Sequence, residues 1–377
     1  ITIEKQMEGM LKTANDPTRV PKSIKPDGTT EYVGLTNWSC GFFAGSLWNI
    51  FEYTQDNAWR REAEKWTAAL SPIQYFRDHH DVGFMLYTNV GNGYRLTGNP
   101  SYKEQLINAA NSLARRYIPS AGIIRSWDVK TSRKGTVWHC PVIIDNLMNL
   151  ELLFEASKLT DNDYYKNIAI SHADKTLENH IRSDYSSYHV VNYDMPSGKV
   201  LERDTYQGFS TESTWARGQA WAIYGYTFTY RETRNKKYLD AACRLADYYL
   251  NHSNLPADLI PYWDFNVGDE GYQPDWNYNK DKYKPVPRDA SAAAVVASAL
   301  VELSNYSSEN KERYYNAAKV LLKNLTTSYM ASVGENNGFI LKHSVGNMPS
   351  GFEIDVPLNY ADYYYLEALN KLNNYNK

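Results

Sequence analysis

Cysteine is nearly missing from this chain. The three present among 377 residues, Cys40, Cys140 and Cys243, form no CxxC pair and no zinc spacing, which excludes a disulfide framework and a thiolate metal centre. Long hydrophobic runs are missing too. The longest, residues 292–301, is broken by Ser298 and is about half of the roughly 20 residues a spanning helix needs, so no membrane insertion is expected. An excess of charge of either sign is also absent. Forty Lys+Arg stand against 43 Asp+Glu for a net charge of -3, and no basic face suggests a nucleic acid partner. Gly91-x-Gly93 lacks the third glycine of a dinucleotide loop, and no Walker A, GxSxG, HxH or HExxH pattern occurs. No cofactor and no metal are therefore expected. Phenylalanine is scarce among the aromatics, with 11 Phe against 32 Tyr and 10 Trp. Rings with a polar edge fill helix interfaces or line a cleft for a ligand that has both CH faces and hydroxyls.

Length alone suggests more than one domain, but an internal repeat argues for one over residues 1–377. Thr, any residue, Asn or Asp, two residues and an aromatic recur at Thr54-Gln-Asp56 to Trp59, Thr97-Gly-Asn99 to Tyr102, Thr160-Asp-Asn162 to Tyr165 and Thr233-Arg-Asn235 to Tyr238, with a looser copy at Ser308-Glu-Asn310 to Tyr314. Asn and Asp tolerate left-handed backbone and cap the following helix. After each phrase comes an amphipathic helix with a charged face, at 59–70, 102–117, 164–180, 238–251 and 314–325. Before each lies a segment with little charge, at 41–53, 81–96, 142–159, 215–230 and 290–306, as expected of helices covered on most sides. With a first helix over 3–14 and a last over 358–372, the pattern predicts an all-α toroid of six inner and six outer helices, an (α/α)6 barrel. An open α-solenoid is the alternative, with repeats more equal in length. The insertions 120–140, 180–213 and 256–288 precede inner helices and so project from one rim, where a binding cleft belongs.

The polar residues at the starts of the inner helices collect on that rim. Asp145 interrupts the apolar run Val142-Ile-Ile-Asp-Asn-Leu-Met-Asn-Leu150. A carboxyl so surrounded has its charged form disfavoured and is held protonated near neutral pH. Asp81 is the candidate second carboxylate, which would raise Asp145 further. The bland readings are a helix cap for Asp81 and an internal ion pair for Asp145 or Arg217, and they stay open at this stage. His79 and His80 precede Asp81, and His189 lies in an insertion.

Taken together, His80-Asp-Val-Gly-Phe84, Ile144-Asp-Asn-Leu-Met-Asn149, Tyr206-Gln-Gly208, Ser213-Thr-Trp-Ala-Arg-Gly-Gln-Ala-Trp221 and Arg288-Asp-Ala-Ser-Ala292 resemble the unsaturated glucuronyl hydrolases of glycoside hydrolase family 88. The resemblance runs from about Trp38 to Leu369. It implies an (α/α)6 barrel acting on oligosaccharides left by polysaccharide lyases, whose non-reducing end is a 4,5-unsaturated glucuronic acid. Members of the family hydrate the vinyl ether: an Asp protonates C4, water adds at C5, and the hemiketal opens and expels the sugar. By motif, Asp145 is that acid and Asp81 the second carboxylate. The resemblance makes Trp38, Trp127 and Trp221 walls of the sugar subsite, with His80, His189, Gln207 and Arg217 holding the uronate or water.

One departure stands out. Members acting on sulfated fragments carry a Ser and Lys cluster on a C-terminal loop; this chain has Leu341-Lys-His-Ser-Val-Gly-Asn347, and Lys342, His343 and Ser344 are the candidates for that role. An unsaturated rhamnogalacturonyl hydrolase, an inverting glycosidase and a non-catalytic oligosaccharide-binding repeat protein are the alternatives. Polysaccharide scavenging and a start at Ile1 rather than Met favour a trimmed periplasmic protein over a cytoplasmic one. The aromatic bias is read as a Tyr-rich scaffold carrying a Trp-lined cleft.

Overall fold

The computed structural model describes residues 2–375; Ile1 and residues 376–377 of the expected single domain lie outside the described residues. Among the described residues the helices are α1 (Thr2–Thr13), α2 (Gly41–Thr54), α3 (Asn57–Ala69), α4 (Asn92–Thr97), α5 (Pro100–Ala114), α6 (Leu150–Thr160), α7 (Asp163–Asn179), α8 (Ala216–Thr233), α9 (Lys236–Asn251), α10 (Ala290–Leu303), α11 (Lys311–Asn324) and α12 (Asn359–Asn373). A π-helical segment, Gly83–Gly91, runs into α4, and a 3-10 segment, Ile144–Asn149, runs into α6.

The Thr-x-Asn phrase works as a joint between paired helices. The hydroxyls of Thr97, Thr160 and Thr233 donate to the carbonyls of Gly93, Ala156 and Thr229, four residues back. The middle residues Gln55, Gly98, Asp161 and Arg234 all take left-handed backbone, ending one helix. Asp56, Asn99, Asn162 and Asn235 then accept the N–H two residues on and start the next. The aromatic that closes each phrase, Trp59, Tyr102, Tyr165 and Tyr238, is buried between the helices. Asn310 of the looser copy makes no side-chain cap.

The inner ring closes on itself. α2 packs on the π segment, the π segment on α6, α6 on α8, α8 on α10, α10 on α12, and α12 back on α2. α3, α5, α7, α9 and α11 lie outside, and α1 packs against the turn Asn336–Gly338. The expected toroid is therefore present, and the open solenoid is not. No helix of the described residues is long and apolar enough to cross a membrane.

Two local expectations are corrected. The third inner helix does not begin at Val142, because Pro141–Ile143 is a strand paired with Val190–Tyr193, which pairs in turn with Val200–Asp204. A short β-branched apolar run reads equally as buried strand or helix, and its partners lie some 50 residues away in an insertion. Asp145 consequently sits in the 3-10 turn between that sheet and α6, not within an α-helix. Nor is Asp81 a side-chain cap: Phe84 N–H donates instead to Asn149 Oδ1 at 3.0 Å.

Deeper in the ring, toward the ends of α8, α10 and α12 and beside the first turn of α6, a cavity of about 600 Å³ is lined by Glu151, Tyr224, Arg231, Glu302, Glu367 and Lys371 among others. Arg231 pairs with Glu151, Glu232 and Glu302, and Lys371 with Glu302 and Glu367. These pairs clasp α6, α8, α10 and α12. None of the carboxyls the sequence singles out faces this cavity.

Candidate active site

The rim where the inner helices begin carries the perturbed carboxyls. Asp81 precedes the π segment and Asp145 opens the 3-10 turn; what brings them together is the contact between Gly83 and Asn149. A Cβ on Gly83 would lie 2.7 Å from Asn149 Cα and Oδ1, so only glycine permits this approach. Asn149 is the last residue of the turn that holds Asp145.

The two carboxyls are driven apart in acidity. Burial first, then the charge of Asp81, pushes Asp145 up to about 7, against the opposing pull of Arg217 and the Trp221 indole. Burial also opposes the charge of Asp81, but the imidazoles of His80 and His79 and the Asn149 amide outweigh it and hold Asp81 below its usual range. His79 Nδ1 lies 3.0 Å from Asp81 Oδ2, and His80 Nε2 3.2 Å from Oδ1. One carboxyl that keeps its proton near neutrality beside one that has lost it is the arrangement of an acid with a charged partner.

Both buried imidazoles have their tautomer set by their neighbours. Ser126 Oγ accepts the Ile143 N–H at 3.0 Å and lies 3.3 Å from His80 Nδ1, and a proton on Nε2 is the one the carboxylate of Asp81, 3.2 Å away, favours. His189 Nδ1 accepts the N–H groups of Tyr206 and Gln207 at 2.9 and 3.1 Å. Its proton is therefore on Nε2, 3.8 Å from Asp145 Oδ2. Burial lowers His80 to about 4 and, helped by the charges of Arg133 and Arg217, takes His189 well below its ordinary value. Both are neutral donors. Asp145 Oδ2 and His189 Nε2, which face each other at 3.8 Å, are both buried without a hydrogen-bond partner among the described residues.

The sequence model of Glycosyl Hydrolase Family 88 matches residues 3–377. The chain belongs to that family. An unsaturated glucuronyl hydrolase of Formosa agariphila is 46% identical over 354 residues, covering 93% of this chain and 84% of that protein. An unsaturated chondroitin disaccharide hydrolase of Streptococcus agalactiae is 34% identical, covering 89% of this chain and 81% of that protein. Among solved structures, an unsaturated glucuronyl hydrolase specific for heparin superposes with a TM-score of 0.91 at 45% identity, covering 99% of this chain and 96% of that one.

Within this family 88 hydrolase the remaining predicted site residues fall into different places. Trp38 is half-buried against Phe42, Phe84 and Tyr360, and Trp127 is half-buried edge-on to Tyr206; both keep surface that a sugar can meet. Trp221 does not. It is fully buried against Phe84 and Tyr364, so it supports the floor under Asp145 and is no wall. Trp138, Trp215 and Trp263 are buried as well, and the picture of a cleft lined throughout by indoles is corrected accordingly.

Arg217 takes the bland reading. Its guanidinium bonds Asp289 Oδ2 at 3.0 Å, Gly346 O at 2.6 Å and Val345 O, and its Cζ lies 4.5 Å from the centre of the Trp215 ring. It anchors the strand Ser344–Asn347 to α8 and α10, and its charge restrains Asp145 from there. Gln207 joins the same anchor by donating to Gly346 O at 3.1 Å. Ser344 is corrected: it is fully buried in the hairpin with Phe352–Val356, so its hydroxyl cannot meet substrate there. Asn149 and Ser126 were missed. A second Asn in an apolar run was the available signal for Asn149; nothing near Ser126 marked it, because its partners lie 46 and 17 residues away.

Proposed function

We propose that this hydrolase removes the 4,5-unsaturated glucuronic acid from the non-reducing end of lyase-generated glycosaminoglycan oligosaccharides, with Asp145 as its acid. The observation that supports the reading is Asp145 itself, a buried carboxyl raised to about 7 beside an ionised Asp81.

In the hydration, Asp145 O–H gives its proton to C4, the C4=C5 pair forms the new C–H bond, and positive charge develops at C5 and the ring oxygen. Water adds there and returns a proton to Asp145. The hemiketal opens and the aglycone leaves. Asp81 keeps its charge near the cationic centre, an electrostatic contribution that grows in a buried site. The N–H of His189 orients Asp145 or the incoming water, and the inner-helix N-termini at this rim favour the uronate carboxylate. Each group is placed before substrate arrives, which is where such catalysis gains its rate.

The test follows the ultraviolet absorbance of the conjugated C4=C5 carboxylate in lyase-made chondroitin, hyaluronan or heparin disaccharides. Loss of absorbance with release of the amino sugar is expected, and Asp145→Asn abolishes it with the circular dichroism spectrum unchanged. Persistence on all three, with turnover of an unsaturated rhamnogalacturonan fragment, moves the assignment to pectin. Near-normal rates in Asp145→Asn defeat the mechanism.

A further inference from the structure

Of the three candidates on the C-terminal loop, Lys342 is half-buried with no carboxylate partner among the described residues, and the other two are engaged or covered. His343 Nδ1 lies 2.7 Å from Asp355 Oδ1, and Ser344 is buried. A cation stands ready elsewhere, on the short hairpin Lys130–Thr131 with Val137–Trp138. Three basic residues lie along it, and two are engaged. Arg133 bonds Asp275 and the carbonyls of Tyr206 and Thr205, while Lys134 bonds Asp204 and Thr211. Lys130 has no carboxylate partner among the described residues. Its Nζ lies against a pair of rings that are in edge contact with each other, 4.8 Å from the centre of Trp127 and 4.2 Å from that of Tyr206.

The two rings locate that ammonium. Trp127 follows Ser126, which orients His80; Tyr206 carries the N–H that orients His189. Trp127 is thus the neighbour of the hydroxyl beside His80, and Tyr206 bonds His189 directly. Both rings keep partial exposure, as does Lys130.

We propose that Lys130 is a specificity-determining residue, whose ammonium on the Trp127–Tyr206 clamp pairs with a sulfo group on the sugar attached to the unsaturated uronate. The inference rests on the function proposed above. A free surface lysine loses rotamer freedom on pairing and gains little. Here two ring contacts already favour one placement of the ammonium, so less is lost when the anion arrives. The ring pair lies to one side of the ammonium, and N–H groups on the other side remain for a sulfo oxygen. Trp127 at the same time offers the CH face of that sugar an aromatic surface.

Steady-state kinetics on matched lyase-made disaccharides, with and without a sulfo group on the amino sugar, tests this. Lys130→Met keeps the stem and removes the charge. It should lower the ratio of kcat/KM on the sulfated to the unsulfated disaccharide by about tenfold; Lys130→Arg should restore most of the ratio, and the wild-type ratio should shrink as ionic strength rises. A ratio unchanged in Lys130→Met, or an equal fall on both substrates, overturns the proposal while leaving the underlying function in place. A wild-type protein inactive on both disaccharides overturns the function and the proposal with it.

Discussion

His189 presents Nε2–H to Asp145 Oδ2 across 3.8 Å, and the backbone N–H groups of Tyr206 and Gln207 decide which nitrogen carries that proton. Burial keeps the ring neutral, so its N–H faces Asp145 without adding a charge that would strip the proton from that carboxyl. His189→Ala should therefore cost kcat on the order of 10²-fold. Stopped or steady-state absorbance assays measure it, with near-ultraviolet circular dichroism to confirm that the insertion keeps its fold.

The proposed mechanism needs Asp145 protonated and Asp81 ionised. With Asp145 at about 7, kcat/KM should fall as pH rises through that value, while Asp81, held below its usual range, stays charged well into acid. Asp81→Asn removes a like charge and should shift the alkaline limb of the residual activity to lower pH. A pH–rate profile of both proteins checks the sign.

The same shift bears on stability. A carboxyl whose folded value is raised stabilises the fold below its unfolded value, 3.8, and that contribution is lost as pH rises through about 7. Asp145→Asn should thus be more stable than wild type at pH 8, by on the order of 1–3 kcal/mol, with the difference shrinking toward pH 4. Urea melts at both pH values provide the comparison.

Gly83→Ala should damage activity out of proportion to stability. Its Cβ would lie 2.7 Å from Asn149 Cα, a backbone atom that cannot swing away, so the two carboxyl-bearing segments must separate. Overpacking of this kind costs roughly 1–3 kcal/mol, whereas kcat depends on the lost geometry. Thermal melts beside kinetics distinguish the two effects.

Arg231→Met tests the clasp of α6, α8, α10 and α12. The substitution leaves Glu151, Glu232 and Glu302 facing one another, a penalty of about 2–4 kcal/mol once partial exposure is allowed for. Turnover per folded molecule should change far less than stability, because Arg231 lies in the last turn of α8 and pairs with neither Asp145 nor Asp81. Denaturant titration and an active-site-normalised rate measure the two quantities.

The scaffold was legible because its rules are local. The Thr-x-Asn joint needs a threonine, a residue able to turn left-handed and a cap within three positions, and the inner or outer character of each helix follows from charge at a period of 3.6 residues. Asp145 was legible for the same reason, as a carboxyl inside an apolar run. Its partners were not. The strand Pro141–Ile143 exists because Val190–Tyr193 comes to pair with it, and a sequence window cannot see a partner 50 residues away.

What the sequence by itself determined is the closed ring of helix pairs, the rim that carries the chemistry and the carboxyl at its centre, since each is written in near-neighbour spacing. Only the tertiary structure decided that Trp221 lies under the floor, that Arg217 holds a strand through Asp289 and two carbonyls, and which nitrogen His189 turns toward Asp145. Burial and hydrogen-bond partners arise from segments brought together by folding, and in a buried site those partners, not residue type, set the charge and direction of each group.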